Sequence, residues 1–419
     1  MSRSIARFFF TLAIGVCAGT LRAEAISTKC SESEVALDAM HTSARLERCG
    51  DDTPAQLLWY LDRIDQTVAR LDNRYDSMNG GAGSVIYVMD TGVMASHAEF
   101  ASPSGTRVIA GYDATSSVEI GRSRCESENK ALAPCYDDFE ELSAASHGTS
   151  VASIAAGHNI GVAPAASIVS IRVMNERGLT TTRAYLDGLD AIIEHAWSAD
   201  APQFRTGVVN ISGWVLERLA STNSPLGAPP VAFAAVEQKM RDMIGGVDAA
   251  GKADPNGKHF LFVVAANNID GGCGPSGIID RFPATLGPKI EGMITVGGMT
   301  AANTSWSGSC RGGIEVLAPA QQIFSATITA ADHYRGRRPN LRSGTSFAAP
   351  IISGIAARLL SDRPDLMPAQ IEWWITATPS RIDDANASFA DGKVAFVQSI
   401  APKAAAASSG MSVRAAHQP

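Results

Sequence analysis

Charge is scarce in this chain of 419 residues: Asp, Glu, Lys and Arg make up only 18%, and 35 basic side chains face 42 acidic ones. A formal net charge of −7 offers no excess of cations for a phosphate backbone, which argues against nucleic acid as a partner. Low charge with 45% hydrophobic residues and a mean hydropathy of +0.03 also excludes a disordered chain. No CxxC occurs, so thioredoxin-like redox chemistry has no basis, and the absence of HExxH or of histidines at ligand spacing argues against a catalytic metal. No internal repeat is present. The uncharged run over residues 8–21, preceded by Arg3 and Arg7, is shorter than the roughly 20 residues a bilayer requires. With Ala23-Glu24-Ala25 behind it, the run reads as a signal peptide over residues 1–25. Val16 before Cys17 is not the small residue of a lipid-anchor signal. A secreted protein, extracellular or periplasmic, with no membrane attachment after cleavage is expected.

Cleavage there removes three Arg and one Glu, leaving 32 basic and 41 acidic residues and a net charge of −9. Six of the seven cysteines remain: Cys30, Cys49, Cys125, Cys135, Cys273 and Cys310. An even number suits an oxidising compartment, and pairing in sequence order is the expectation.

Short runs rich in β-branched residues recur at 85–89, 167–173, 207–211, 260–265 and 293–296. Helical spacing occupies 147–156, 181–197, 231–244, 347–360 and 368–377. Strands alternating with helices predict an α/β fold, with a parallel sheet covered on both faces and functional groups at the carboxyl ends of its strands. The stretch from about Ala401 onward lacks a core pattern and is expected to be disordered.

Three motifs carry chemistry. VIYVMDTGV ends a strand on Asp90, SHGTSVASIAAG opens a helix on His147, and RSGTSFAAPIISG puts Ser346 between turn residues and a helix. Pro350 is expected in the first turn of that helix, where its missing N–H costs little. Each residue alone has an ordinary structural explanation. Together they supply a nucleophile, a proton carrier and a carboxylate to hold it, the needs of acyl transfer. Their order, Asp then His then Ser, matches neither the α/β-hydrolases nor the chymotrypsin type.

With these motifs, and with GVAPAASIVSIRVMNERG, the chain resembles the subtilisin-like serine peptidases (subtilases), and WYLDRIDQ at Trp59 resembles the start of mature enzymes of the proteinase K-like branch. The resemblance spans about residues 54–402 as one peptidase domain, after a leader over 26–53 of 28 residues (53 − 26 + 1) and before a tail over 403–419. It implies a three-layer fold with a mostly parallel central sheet, a serine endopeptidase acting on polypeptides as a monomer, and Asp90, His147 and Ser346 as catalytic triad. FLFVVAANN resembles the segment carrying the oxyanion asparagine, which implies that role for Asn268. No cofactor is implied for catalysis; structural Ca²⁺ is an expectation from resemblance alone, with no ligands assigned.

Departures from the family pattern are informative. VVNISGW aligns Ser212, Gly213 and Trp214 with the strand that pairs with substrate, where the family carries Gly at the Trp214 position. Asn267 likewise stands where the family has Gly, on the opposite wall of the pocket for the residue before the cleaved bond. Two bulkier walls imply a pocket limited to small or unusual side chains, unless the 214 region bulges and aims the indole outward. A peptide-binding pseudoenzyme and an ester hydrolase are the alternatives. Ser146 and Ser150 replace the Gly and second His that commonly flank HGT. The 57 residues from Asp90 to His147 hold a surface insertion, and a second is expected near 221–230.

Overall fold

The computed structural model describes residues 58–115, 146–215, 231–328, 341–377 and 393–394, apart from 66, 68–70, 72–73, 76–78, 104, 176–177 and 271–272, together with the pair 44–45. The expected signal peptide and tail, nearly all of the leader, both insertions and five cysteines (Cys17, Cys30, Cys49, Cys125 and Cys135) lie outside the described residues.

Seven strands form one sheet: β1 (Val85–Asp90), β2 (Val108–Asp113), β3 (Ser167–Arg172), β4 (Thr206–Ile211), β5 (His259–Ala265), β6 (Met293–Met299) and β7 (Val316–Pro319). Their spatial order is β7-β6-β5-β4-β1-β3-β2, and every neighbouring pair runs parallel. Strands buried on both faces read as continuous apolar runs, and all of β1, β4, β5 and β6 is buried. The two strands that periodicity did not mark, β2 and β7, are the sheet edges. An edge strand needs less apolar side chain, and VIAGYD and VLAP are correspondingly weak patterns.

Alternate side chains of each strand feed two cores. Ile86 and Val88 face the layer made by α1 (Trp59–Ile64), α2 (His147–Ala156), α5 (Thr345–Asp362) and α6 (Pro368–Thr376). Val85, Tyr87 and Met89 face the layer made by α3 (Thr182–Trp197) and α4 (Val231–Gly245). The result is the expected three-layer α/β arrangement with a parallel central sheet. Tyr60 on α1 ties that helix in by donating to the carbonyls of Ile160 at 2.6 Å and Phe324 at 3.2 Å.

At the end of the sheet where β6 begins, two carboxyls meet. Thr295 N–H donates to Glu315 at 2.9 Å, Gly292 N–H donates to Glu372 of α6, and the two side chains hydrogen-bond each other. Glu315 is pushed up to about 8, first by burial and then by the charge of Glu372, against the pull of the Thr295 N–H and Lys393. Glu372 is also raised, by burial, with Glu291 adding to the effect. A carboxyl that holds its proton only when folded makes stability fall as pH rises from the free-acid range toward 8. Glu315→Gln, which keeps an acceptor for Thr295, should flatten that fall and raise the melting temperature at pH 9 by about 5 °C. Thermal unfolding of both proteins between pH 5 and pH 9 checks this.

Candidate active site

β1 ends on Asp90, which has no exposed surface, and Thr91 N–H donates to its Oδ1 at 2.7 Å. The start of α2 is pressed against this strand end. Gly148 N–H donates to Thr91 Oγ1 at 3.0 Å, and a Cβ on Gly148 would lie 2.1 Å from the Gly92 carbonyl oxygen, so only glycine fits behind His147. That docking sets His147 Nδ1 at 2.8 and 3.0 Å from the two Asp90 oxygens. A carboxylate can only accept, so Nδ1 carries the proton and the neutral ring keeps its lone pair on Nε2. Ser146 and Ser150 both find partners. Arg342 donates to the Ser146 hydroxyl, and Ser150 donates to the Ala326 carbonyl at 2.7 Å.

Ser346 is the second residue of α5, close to the unsatisfied N–H groups of a helix N-terminus. Its Oγ donates to the Ser212 carbonyl at 3.0 Å, and the Ser212 Oγ donates to the Ser346 carbonyl at 2.8 Å. His147 is tied to the same helix through its ring, which lies 5.4 Å from that of Phe347. Pro350 is the sixth residue of α5 and so falls in its second turn rather than its first, because the helix begins at Thr345, two residues before the expected 347.

Asn268 follows β5 and accepts the Thr345 N–H at 2.9 Å and its hydroxyl at 3.1 Å, both on Oδ1. A backbone N–H can only donate, which fixes the amide orientation and leaves Nδ2 on the other side. Asn267 has a left-handed backbone at φ 72°, is 2% exposed, and its Nδ2 makes no hydrogen bond. Asn267 also accepts the Cys310 N–H at 3.0 Å. Cys310 is joined to Cys273, as pairing in sequence order predicted. Closing a loop with a separation of 37 residues at this rim contributes stability on the order of 4 kcal/mol. Ser212 is buried, and Gly213 and Trp214 are half-buried. Residues 273–277 form a loop with a tight turn at Pro275–Gly277.

The carboxyl ends of β1, β4 and β5 thus bring together Asp90, Ser212 and Asn268, while α2 and α5 deliver His147 and Ser346. This is the end of a parallel sheet where ligands bind. A family model described as the subtilase family matches residues 81–394. The chain belongs to the subtilase family. It is 28% identical over 344 residues to alkaline serine exoprotease A of Vibrio alginolyticus, covering 81% of this chain and 50% of that one. To an extracellular serine proteinase of Thermus sp. strain Rt41A it is 29% identical over 340 residues, covering 80% and 62%. This subtilase therefore spans 50% and 62% of the length of those two relatives. The crystal structure of a cold-adapted subtilisin-like serine proteinase superposes with a TM-score of 0.57 at 25% identity, over 81% of this chain and 98% of the other.

Sequence reasoning missed four residues that hold the site: Thr91, Asn210, Thr345 and Ser353. Asn210 had a signal, being the one polar side chain inside the apolar run GVVNI. Among the described residues no group of three or more His, Cys, Asp or Glu is placed to hold a metal ion, so the calcium expectation finds no such cluster there.

Proposed function

We propose that this subtilase is a secreted serine endopeptidase that cleaves polypeptides through an acyl-enzyme. The observation that carries the proposal is the pair of hydrogen bonds from His147 Nδ1 to a fully buried Asp90, beside a serine at a helix N-terminus. Asp90 holds the imidazole in the tautomer whose Nε2 can take a proton. The Ser346 hydroxyl rotates about χ1 away from the Ser212 carbonyl, passes its proton to Nε2 and attacks the scissile carbonyl. Nδ2 of Asn268 and the N–H of Ser346 receive the charge that forms on the oxygen. His147 then returns the proton to the leaving amine, and water releases the acyl group by the same steps. Subtilisin is the type case of this chemistry, so these roles come over by family likeness. The signal-peptide pattern and the extracellular Thermus relative support secretion.

Asn268→Ala should lower kcat about a hundredfold to a thousandfold with little change in KM, a range carried over from subtilisin. Steady-state kinetics on one peptide amide measures it. Trp214 and Asn267 are proposed to narrow the pocket for the residue before the scissile bond. Digesting a denatured peptide library should give small residues there, and Trp214→Gly should admit larger ones. An unchanged profile sinks the narrow pocket, whereas a folded wild type that produces no more cuts than Ser346→Ala supports a peptide binder without catalysis.

A further inference from the structure

Pro350 has no backbone N–H, so the helix cannot supply the hydrogen bond that residue 350 would otherwise make to the carbonyl of Ser346, four residues earlier. That carbonyl belongs to the second residue of α5 and carries the peptide that follows the proposed nucleophile. It is satisfied from outside the helix, by the Ser212 hydroxyl at 2.8 Å. The hydroxyl is itself oriented. Nδ2 of Asn210, a pure donor, bonds to Ser212 Oγ at 2.9 Å, which sends the Ser212 proton on toward the Ser346 carbonyl. Asn210 is held in turn by Ser353, whose hydroxyl donates to Asn210 Oδ1 at 2.9 Å. Asn210 and Ser353 have no exposed surface, and Ser212 has 2%.

We infer that Asn210 is a positioning residue for Ser346: the chain Ser353–Asn210–Ser212 replaces the helix hydrogen bond that Pro350 removes, and so fixes the nucleophile against β4. This rests on the hydrolase reading above. A relay of buried hydrogen bonds polarises along its length and tolerates little play, whereas a helix end lacking one bond would be free to shift. A small misplacement of the attacking oxygen is costly to the reaction although it costs the fold little. The return bond from Ser346 Oγ to the Ser212 carbonyl closes the clamp on both sides of the nucleophile.

The test is the second-order rate at which a fluorophosphonate acylates Ser346, measured on folded protein with the melting temperature followed in parallel. Asn210→Ala and Ser212→Ala should each slow acylation roughly tenfold to a hundredfold. Pro350→Ala restores an N–H to the helix, so Ser212→Ala added to Pro350→Ala should cost less than about threefold. Equal losses from Ser212→Ala in the two backgrounds overturn the inference, as does a Ser212→Ala protein that melts lower yet acylates at the wild-type rate. Should Asn210→Ala fail to fold, Ser353→Ala, which removes the hydroxyl that holds the Asn210 amide, is read in its place beside the Ser212 and Pro350 cycle, and acylation at the wild-type rate overturns the role of Asn210. Folded wild type that does not label overturns the hydrolase reading itself, and this inference with it.

Discussion

Ser346→Ala is expected to lower kcat for a peptide amide by about a millionfold, a figure carried over from subtilisin, and to remove labelling by serine-directed phosphonates. Removing His147 as well should cost almost nothing further, because a base without a nucleophile has no proton to take. That non-additivity separates a working unit from two residues that each contribute to folding. Substrate affinity, read as the KM of whatever hydrolysis remains or as direct peptide binding, should stay within a few-fold of wild type. The Ser346 hydroxyl contributes a single hydrogen bond, to the Ser212 carbonyl, so its loss should leave the melting temperature nearly unchanged.

Asp90→Asn has the second-largest expected effect, about ten-thousandfold in kcat. The substitution preserves volume, and the oxygen of the new side-chain amide can still accept the Thr91 N–H. An amide, however, can offer its NH₂ to Nδ1 of His147, which favours the tautomer with the proton on Nε2. That ring cannot accept the serine proton. The loss should ease as pH rises, when hydroxide can stand in for the missing base, so a profile of kcat/KM from pH 6 to pH 10 should show the variant climbing where wild type levels off. A variant with the same pH profile as wild type, merely scaled down, would argue that Asp90 acts only through structure.

Much of the site was legible because its chemistry lies in short contiguous motifs. DTG, HGT and GTS each place one reactive side chain at the junction of a strand or helix with a turn, and fold class followed from the buried strands. The strands that escaped notice are the sheet edges β2 and β7, where the apolar run is weaker. The hydrogen-bond chain behind Ser346 was not legible for a different reason. Asn210 and Ser353 are 143 residues apart, and Ser212 and Ser346 are 134 apart, so no local pattern links them. Pro350 was noticed and misjudged. Counted from residue 347, where helical spacing begins, it looks like a harmless first-turn proline, but α5 starts two residues earlier at Thr345, and the carbonyl it orphans is that of the nucleophile. Asn267 shows the same limit. Its identity marked a departure from the family pattern, but only the fold shows that its Nδ2 is buried without a hydrogen bond at φ 72°.

The most direct test of the central claim is to treat folded protein with a fluorophosphonate at neutral pH and map the adduct by mass spectrometry. The account predicts one adduct per chain, on Ser346, greatly slowed in His147→Ala and absent from Ser346→Ala. An adduct on another serine, or none on a folded wild-type chain, would contradict it.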